Sequence, residues 1–297
     1  MIRRAFAAGL ACLAGVALAI LPTAADAQTV RVGSKNFTEQ FILGEMYAAA
    51  FEANGMKVER KINLGGTLIA HKALTSNEVD LYPEYTGTAL NAVLKAPVIS
   101  DPDAVYKQVK GFYEKEFEVT WLKPSGINNG YAILVRPETA QQHQLKTLSD
   151  LAKVSKQLKI GAGPEFADRK DGLPGLKEKY GMEFAEFKQF GALALRYDAL
   201  TNKQVEVVNG FATDWQIAAG KFVALDDDKN LFPPYYLAPA VRQAAIKANP
   251  KIESIANQVS ALLNNDVMRT LNQQVEVKKD EPRDVAKAFL KSKGLIK

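Results

Sequence analysis

Two stretches of this chain, 126 residues apart, repeat the same order of strand and helix signals. The first begins with VRVGS (30–34), an apolar strand ending at glycine. FTEQFILGEMYAAAFEANG (37–55) then reads as an amphipathic helix carrying Phe41, Met46 and Ala49, with Thr38 or Asn36 near its cap and Gly55 past its end. VERKINL follows as a strand, GGTLIAHKALTSN as a helix opened by paired glycines, and VDLYP as a third strand. The second stretch runs LKIGAGPEF (158–166), GLPGLKEKYGM, FAEFKQF, GALALRYDALTNKQ and VEVVNGF, again strand, helix, strand, helix, strand. The slide pairs Gly55-Met56 with Gly181-Met182, Gly65 with Gly191, Ala73-Leu74-Thr75 with Ala199-Leu200-Thr201, and Val79 with Val205. Such alternation buries its apolar faces as helices packed on a sheet, so the reading is two α/β lobes. Ligands of open α/β sheets bind outside the carboxyl ends of the strands, so two facing lobes enclose a cleft. The slide also sets Tyr85 on Phe211, one aromatic at the matching strand end of each lobe. No Pro-, Gly- or Ser-rich linker separates the units, so short crossings should join them. The tail from about Ala240 reads as helical: VRQAAIKANP, IESIANQVSALLNNDVMRTLNQQV and PRDVAKAFLKSKG.

The first residues set the compartment. Arg3 and Arg4 precede an apolar run from about Ala5 to Leu21, and Ala25-Asp26-Ala27 fits a small-x-small cleavage site. The expectation is a signal peptide, 1–27, cleaved near Ala27, and a periplasmic mature chain. A retained membrane anchor is the competing reading. The one cysteine, Cys12, leaves with the leader, which excludes a disulfide framework and thiol catalysis. The net charge is +5, but lysines alternate with acids, as in KQVKGFYEKEFE. That is a mixed solvated surface rather than a nucleic-acid footprint.

A search for catalytic groups finds none. His71 lies mid-helix and His143 in a polar stretch, neither at zinc-ligand spacing. There is no G-x-S-x-G and no P-loop, and GAG at 161–163 lacks the third glycine of a dinucleotide loop. The acidic run 226–228 lacks calcium-loop spacing and reads as a solvated turn. The chain is therefore expected to be a binder, with no catalytic residue, metal or cofactor. DLYPEYTGTAL (80–90) sets two tyrosines around Pro83 and Gly87, which punctuate it as a turn or as a loop opening into a helix. Tyr82 and Tyr85 there either fill the core or show a rigid face to a ligand.

GSKNFTEQ (33–40), DLYPEYTGTAL (80–90), NNGYAI (128–133), EFADRKDG (165–172), FATDWQI (211–217) and DDKNLFPPYYLAP (227–239), in this order, resemble the substrate-binding proteins of ABC importers for glycine betaine, choline and carnitine. The resemblance covers nearly the whole mature chain. It implies a type II periplasmic binding protein fold, two α/β lobes with a central ligand cleft: 28–128 plus 237–297 as lobe I and 129–236 as lobe II. It implies a monomer that takes a quaternary-ammonium ligand and hands it to a membrane permease with its ATPase. A quaternary ammonium has charge but no N–H, so aromatic faces hold it where hydrogen bonds cannot. The family's cage positions match Tyr85, Tyr131, Phe211 and Tyr235, with Tyr236 as the alternative to Tyr235. Its carboxylate-binding positions match Lys35, Thr88 and Arg169, and Asn129 stands beside the cage. Two positions depart from the family: Phe211 stands where tyrosine is common, and Trp215 where glycine is typical. That indole could narrow the cleft, add a wall or simply pack. A binder of another small cationic or zwitterionic solute, such as an amino acid, is the alternative; an exported hydrolase comes third.

Overall fold

The repeat persists in three dimensions. The computed structural model describes residues 29–297, so the leader and its cleavage site lie outside the described residues. The strands are β1 (Val30–Gly33), β2 (Val58–Lys61), β3 (Leu81–Tyr85), β4 (Val119–Trp121), β5 (Tyr131–Val135), β6 (Lys159–Ala162), β7 (Glu186–Gln189), β8 (Val207–Phe211), β9 (Val223–Leu225) and β10 (Leu237–Arg242). The α-helices of the first half are α1 (Thr38–Ala53), α2 (Thr67–Thr75), the single turn α3 (Thr86–Thr88) and α4 (Pro102–Phe117). Those of the middle are α5 (Pro137–His143), α6 (Leu148–Val154), α7 (Leu173–Tyr180), α8 (Leu193–Thr201) and α9 (Trp215–Ala218). The tail carries α10 (Gln243–Ala248), α11 (Lys251–Ala261), α12 (Asn265–Lys278) and α13 (Pro282–Ser292). Sliding by 126 residues lays α2 on α8 and β3 on β8 with identical bounds.

Two five-stranded sheets result, in the orders β2-β1-β3-β10-β4 and β7-β6-β8-β5-β9. In each, the repeat supplies three parallel strands and the antiparallel member lies beside the third: β10 against β3, β5 against β8. The fold is the type II periplasmic binding protein fold. The chain passes from the first sheet to the second after β4 and returns before β10. The two crossings pair with each other: Asn129 N–H donates to Tyr235 O at 3.1 Å and Leu237 N–H to Ile127 O at 3.0 Å.

Three local readings need correction. The tail does not turn helical at Ala240, because β10 continues to Arg242. Leu237 and Val241 pack into the core beneath α1, while Ala238 and Ala240 pack into the core on the other face. A strand buried on both faces shows no apolar–polar alternation to read. Pro83 does not open a turn; β3 runs through it to Tyr85. Pro83 faces Pro239 across the ladder, and Pro239 O accepts from Leu122 N–H on the far side. Each proline thus stands at a non-hydrogen-bonded pair, where its missing N–H costs no bond to the other strand. Finally, α1 is not amphipathic: it is buried without interruption from Ile42 to Phe51, between the sheet and the tail helices α11–α13. A helix apolar all round is a buried helix.

Candidate ligand-binding site

A cleft of about 320 Å³ lies where the carboxyl ends of the two sheets meet the crossings, within the range of small-molecule sites. The loop after β1 brings Lys35 and Phe37. The end of β3 brings Tyr85, and α3 brings Thr88. The loop after β6 brings Glu165, Phe166 and Arg169, the end of β8 brings Phe211, and the crossings bring Asn129, Tyr131 and Tyr235. All eight residues singled out from the sequence (Lys35, Tyr85, Thr88, Asn129, Tyr131, Arg169, Phe211, Tyr235) line this one cleft.

Its aromatic rings form a row across the molecule. Tyr85 stacks near Phe37 at 6.5 Å between centroids, Phe37 on Phe211 at 5.8 Å, and Phe211 on Tyr131 at 5.5 Å. Tyr235 meets Tyr131 edge-on at 5.9 Å, and Phe166 meets it at 5.1 Å. Tyr85 and Phe37 belong to the first sheet's side, Phe211 and Tyr131 to the second's. The row therefore joins the two at the Phe37–Phe211 stack, where the planes lie 9° apart. Tyr85 and Phe211 occupy matching strand ends because β3 and β8 are matching strands; their antiparallel partners are Leu237 and Tyr131.

The cations are mostly paired. Lys35 Nζ donates to Glu84 Oε1 at 2.6 Å and lies 4.8 Å from the Tyr85 centroid. Arg169 forks onto Asp171, Nε to Oδ1 at 2.8 Å and Nη2 to Oδ2 at 2.5 Å, with its guanidinium carbon 5.1 Å from the Tyr131 centroid. Tyr235 also donates its hydroxyl to Asp171. Arg196, in the first turn of α8, reaches the cleft beside Asn209.

Behind the rings, a buried carboxylate ties the parts together. Glu39 of α1 accepts from Tyr85 OH at 2.6 Å, Asn129 Nδ2 at 3.0 Å, Thr213 Oγ1 at 2.5 Å and Asn272 Nδ2 at 3.3 Å. Burial raises its pKa; the bonds from Thr213, Tyr85, Asn272 and Asn129 oppose that rise. Asn129 also accepts from Thr213 N–H at 3.1 Å, so it braces the loop after β8 rather than standing free beside the rings. Asp214 accepts from Phe211 N–H at 2.8 Å and from Tyr197 OH at 2.5 Å, and burial pushes its carboxyl up to about 7.

Phe37, Arg196 and Glu39 were missed in the sequence. The signal for Phe37 and Glu39 was present, since both fall in GSKNFTEQ beside Lys35. Arg196 sits within a helical pattern where an arginine reads as surface. Trp215 takes the third of its three options: its indole N–H donates to Glu276 of α12 at 2.7 Å, and it does not line the cleft. His71 packs edge-on against Tyr113 and Phe117. The run 226–228 does more than face solvent, because Asp227 accepts from Leu231 and Phe232 N–H and orders the loop that leads to Tyr235.

A two-lobed α/β chain with a ligand-sized cleft between two matched sheets belongs to the class of solute-binding proteins. Residues 28–292 match the family described as the substrate binding domain of ABC-type glycine betaine transport systems, and the chain belongs to it. It is a substrate-binding protein of an ABC transporter, not an enzyme. A carnitine transport binding protein of Listeria monocytogenes is 33% identical over 88% of this chain and 86% of its own. An ergothioneine transport permease/ergothioneine binding protein of Helicobacter pylori is 35% identical over 94% of this chain, which spans 50% of that longer protein. A crystal structure of a glycine betaine/carnitine/choline ABC transporter superposes with a TM-score of 0.73 at 31% identity, covering 90% of this chain and 99% of that one.

Proposed function

We propose that this chain captures a quaternary-ammonium compound of the glycine betaine, choline and carnitine class and delivers it to a membrane permease driven by an ATPase. The observation that carries the reading is the row of rings from Tyr85 through Phe37 and Phe211 to Tyr131, drawn from both sheets. Each π-face contributes about 0.5–2 kcal/mol toward a cation that has no N–H to donate. Residues 28–128 with 237–297 make one lobe and 129–236 the other, which agrees with the strand membership of the two sheets. The chain acts as a periplasmic monomer after its leader, 1–27, is removed; among the described residues no helix is long and apolar enough to cross a membrane. The names of the Listeria and Helicobacter relatives extend the candidate ligands to carnitine and ergothioneine. A basic amino acid fits less well. Its primary ammonium wants unengaged carboxylates, whereas Glu165, the carboxylate lining the cleft, already accepts from Thr67 N–H and lies 3.8 Å from Arg169 Nη1, and Glu84 and Asp171 behind it are bound to Lys35 and Arg169. The test is mass spectrometry of the co-purifying ligand, followed by calorimetry against glycine betaine, choline, carnitine, ergothioneine and arginine. Binding of arginine with none of the quaternary compounds would overturn the proposal.

A further inference from the structure

Helix α12 bridges the two sheets along one polar stripe. Met268 and Leu271 bury it in the core that it shares with α1. One residue further round, Arg269, Asn272 and Glu276 fall at i, i+3 and i+7, a single face of the helix. All three reach the loop that leaves β8 in the other sheet. Arg269 Nε donates to Ala212 O at 3.1 Å and Asn272 Nδ2 to Thr213 O at 3.2 Å. At the far end Glu276 Oε2 accepts from the indole N–H of Trp215 at 2.7 Å and from Gln216 Nε2 at 3.4 Å. The near end is fixed at the first crossing, where Asn265 exchanges bonds of 2.8 and 3.1 Å with the backbone of Asn128. Glu276 lies about 16 Å further along the helix, at about 1.5 Å per residue. The loop so gripped starts at Phe211, a ring of the cleft.

We infer that Trp215 is a positioning residue: through Glu276 it latches the loop behind Phe211 onto α12, and so sets how long a bound solute stays in the cleft. Burial distinguishes this contact from the Glu39 cluster. Glu39 is buried with its donors, which cannot part from it without losing their partner. Trp215 and Glu276 are both half-buried, so their bond can be exchanged for water and remade. The indole does not depend on α12 for its pose, because Lys221 of its own unit lies 4.5 Å from the ring centroid. A glycine, the residue expected at this position, has no side chain to reach α12. A bond made across the seam resists separation of the sheets, so it acts on release of the solute more than on its entry. The inference concerns residence; only its choice of probes rests on the quaternary-ammonium reading.

Stopped-flow binding of glycine betaine and carnitine tests this in wild type, Trp215→Phe, Glu276→Ala, Glu276→Gln and the double variant Trp215→Phe/Glu276→Ala. Thermal unfolding and amide hydrogen exchange of residues 211–216 are measured alongside without ligand. Trp215→Phe keeps an aromatic body beside Lys221 but has no N–H to donate. It should quicken dissociation by about three- to tenfold, change association by less than about twofold and leave the thermal midpoint nearly where it was. In the Glu276→Ala background the same change should add nothing, because the residue it acts through is gone. Glu276→Gln, whose amide oxygen still accepts from the indole, should keep most of the wild-type residence. Without ligand, the loop amides should exchange faster in Trp215→Phe by a similar factor. Dissociation unchanged in Trp215→Phe, or single effects that add in the double variant, would overturn the inference and leave the ligand reading intact. If wild type binds neither probe, the quaternary-ammonium reading falls and loop exchange decides the latch: quickened exchange in Trp215→Phe upholds it, and unchanged exchange overturns it.

Discussion

Tyr85 and Tyr131 face the same cleft but are held differently, and their variants should separate the ring from the hydroxyl. Each alanine variant loses a π-face and should bind a quaternary ammonium about five- to thirtyfold more weakly, roughly 1–2 kcal/mol. Tyr131→Phe keeps the ring and should be nearly silent in titration calorimetry. Tyr85→Phe should not be, because its hydroxyl is one of the four donors on Glu39. It should lower thermal stability as well as affinity, and equal behaviour of the two phenylalanine variants would contradict this division. Asp214 gives a pH signature at the same scale. Its folded pKa, about 7, stands above its ordinary 3.8. The protonated form is therefore the one the fold favours. That stabilisation is complete below about pH 4 and is lost as pH rises through about 7, a change on the order of 3–4 kcal/mol. Asp214→Asn has no such step. Denaturant unfolding from pH 4 to pH 8 should thus show wild type losing stability relative to the variant, and a flat difference would mean that Asp214 is ionised throughout. Tyr85, Tyr131, Phe211 and Tyr235 were legible as cleft-lining residues because they fall in recognisable blocks, whereas Phe37 was passed over within one of them. It could not show that Lys35 and Arg169 spend their charge on Glu84 and Asp171, since those partners are set by how β3 and the loop after β6 pack.

At the scale of elements, the first turn of α2 makes a contact that the pattern of strands and helices does not foretell. Thr67 N–H, at the helix N-terminus, donates to Glu165 Oε1 at 2.9 Å, and Glu165 belongs to the loop after β6 in the other sheet's unit. Gly66 allows the approach, since a Cβ there would stand 2.6 Å from that oxygen. A carboxylate at a helix N-terminus is favourable by roughly 0.3–1 kcal/mol, more when partly buried. Because the bond closes one side of the cleft, Glu165→Ala should act on ligand release. Dissociation measured by stopped flow should quicken by about two- to tenfold, with association little changed. An unchanged dissociation rate would make the contact incidental to closure. The elements themselves were largely legible: α2, α8, β3 and β8 fall where the doubled pattern put them, to within a few residues. What escaped was β10. Its residues are buried on both faces, it returns from a sequence position far beyond its neighbour β3, and its pairing with β3 runs through two opposed prolines. Each of those removes a local clue.

For the whole molecule, the question is what holds two similar lobes in register around one solute. Two antiparallel crossings permit movement between the sheets, and several contacts oppose it, among them the Phe37–Phe211 stack, the Thr67–Glu165 bond, the Trp215–Glu276 bond and the Glu39 cluster. Glu39 is the most connected of these. Its four donors come from β3, the first crossing, the loop after β8 and α12, so one carboxylate couples both lobes and the tail to the Tyr85 ring of the cleft. Replacing it with alanine leaves the buried donors of Tyr85, Asn129 and Thr213 without their acceptor, while Asn272 keeps Thr213 O; at about 1–3 kcal/mol each, this is a large fraction of a domain's stability. Glu39→Gln is the informative variant. The amide keeps the shape but turns one acceptor into a donor, facing either Tyr85 and Asn129 or Thr213 and Asn272. The hydroxyl on that side can turn to accept, but the asparagine amide loses its acceptor and that contact loosens. If ligand binding works by raising the population of the closed arrangement, the wild-type radius of gyration should fall on adding a saturating betaine. Glu39→Gln should start from a larger radius without ligand and need more ligand to reach the same compact value, since part of the binding energy then goes into closing the lobes. Small-angle scattering over a ligand titration measures both. A wild-type radius that ligand does not change would remove closure from the mechanism. A variant radius equal to that of wild type would limit Glu39 to holding Tyr85.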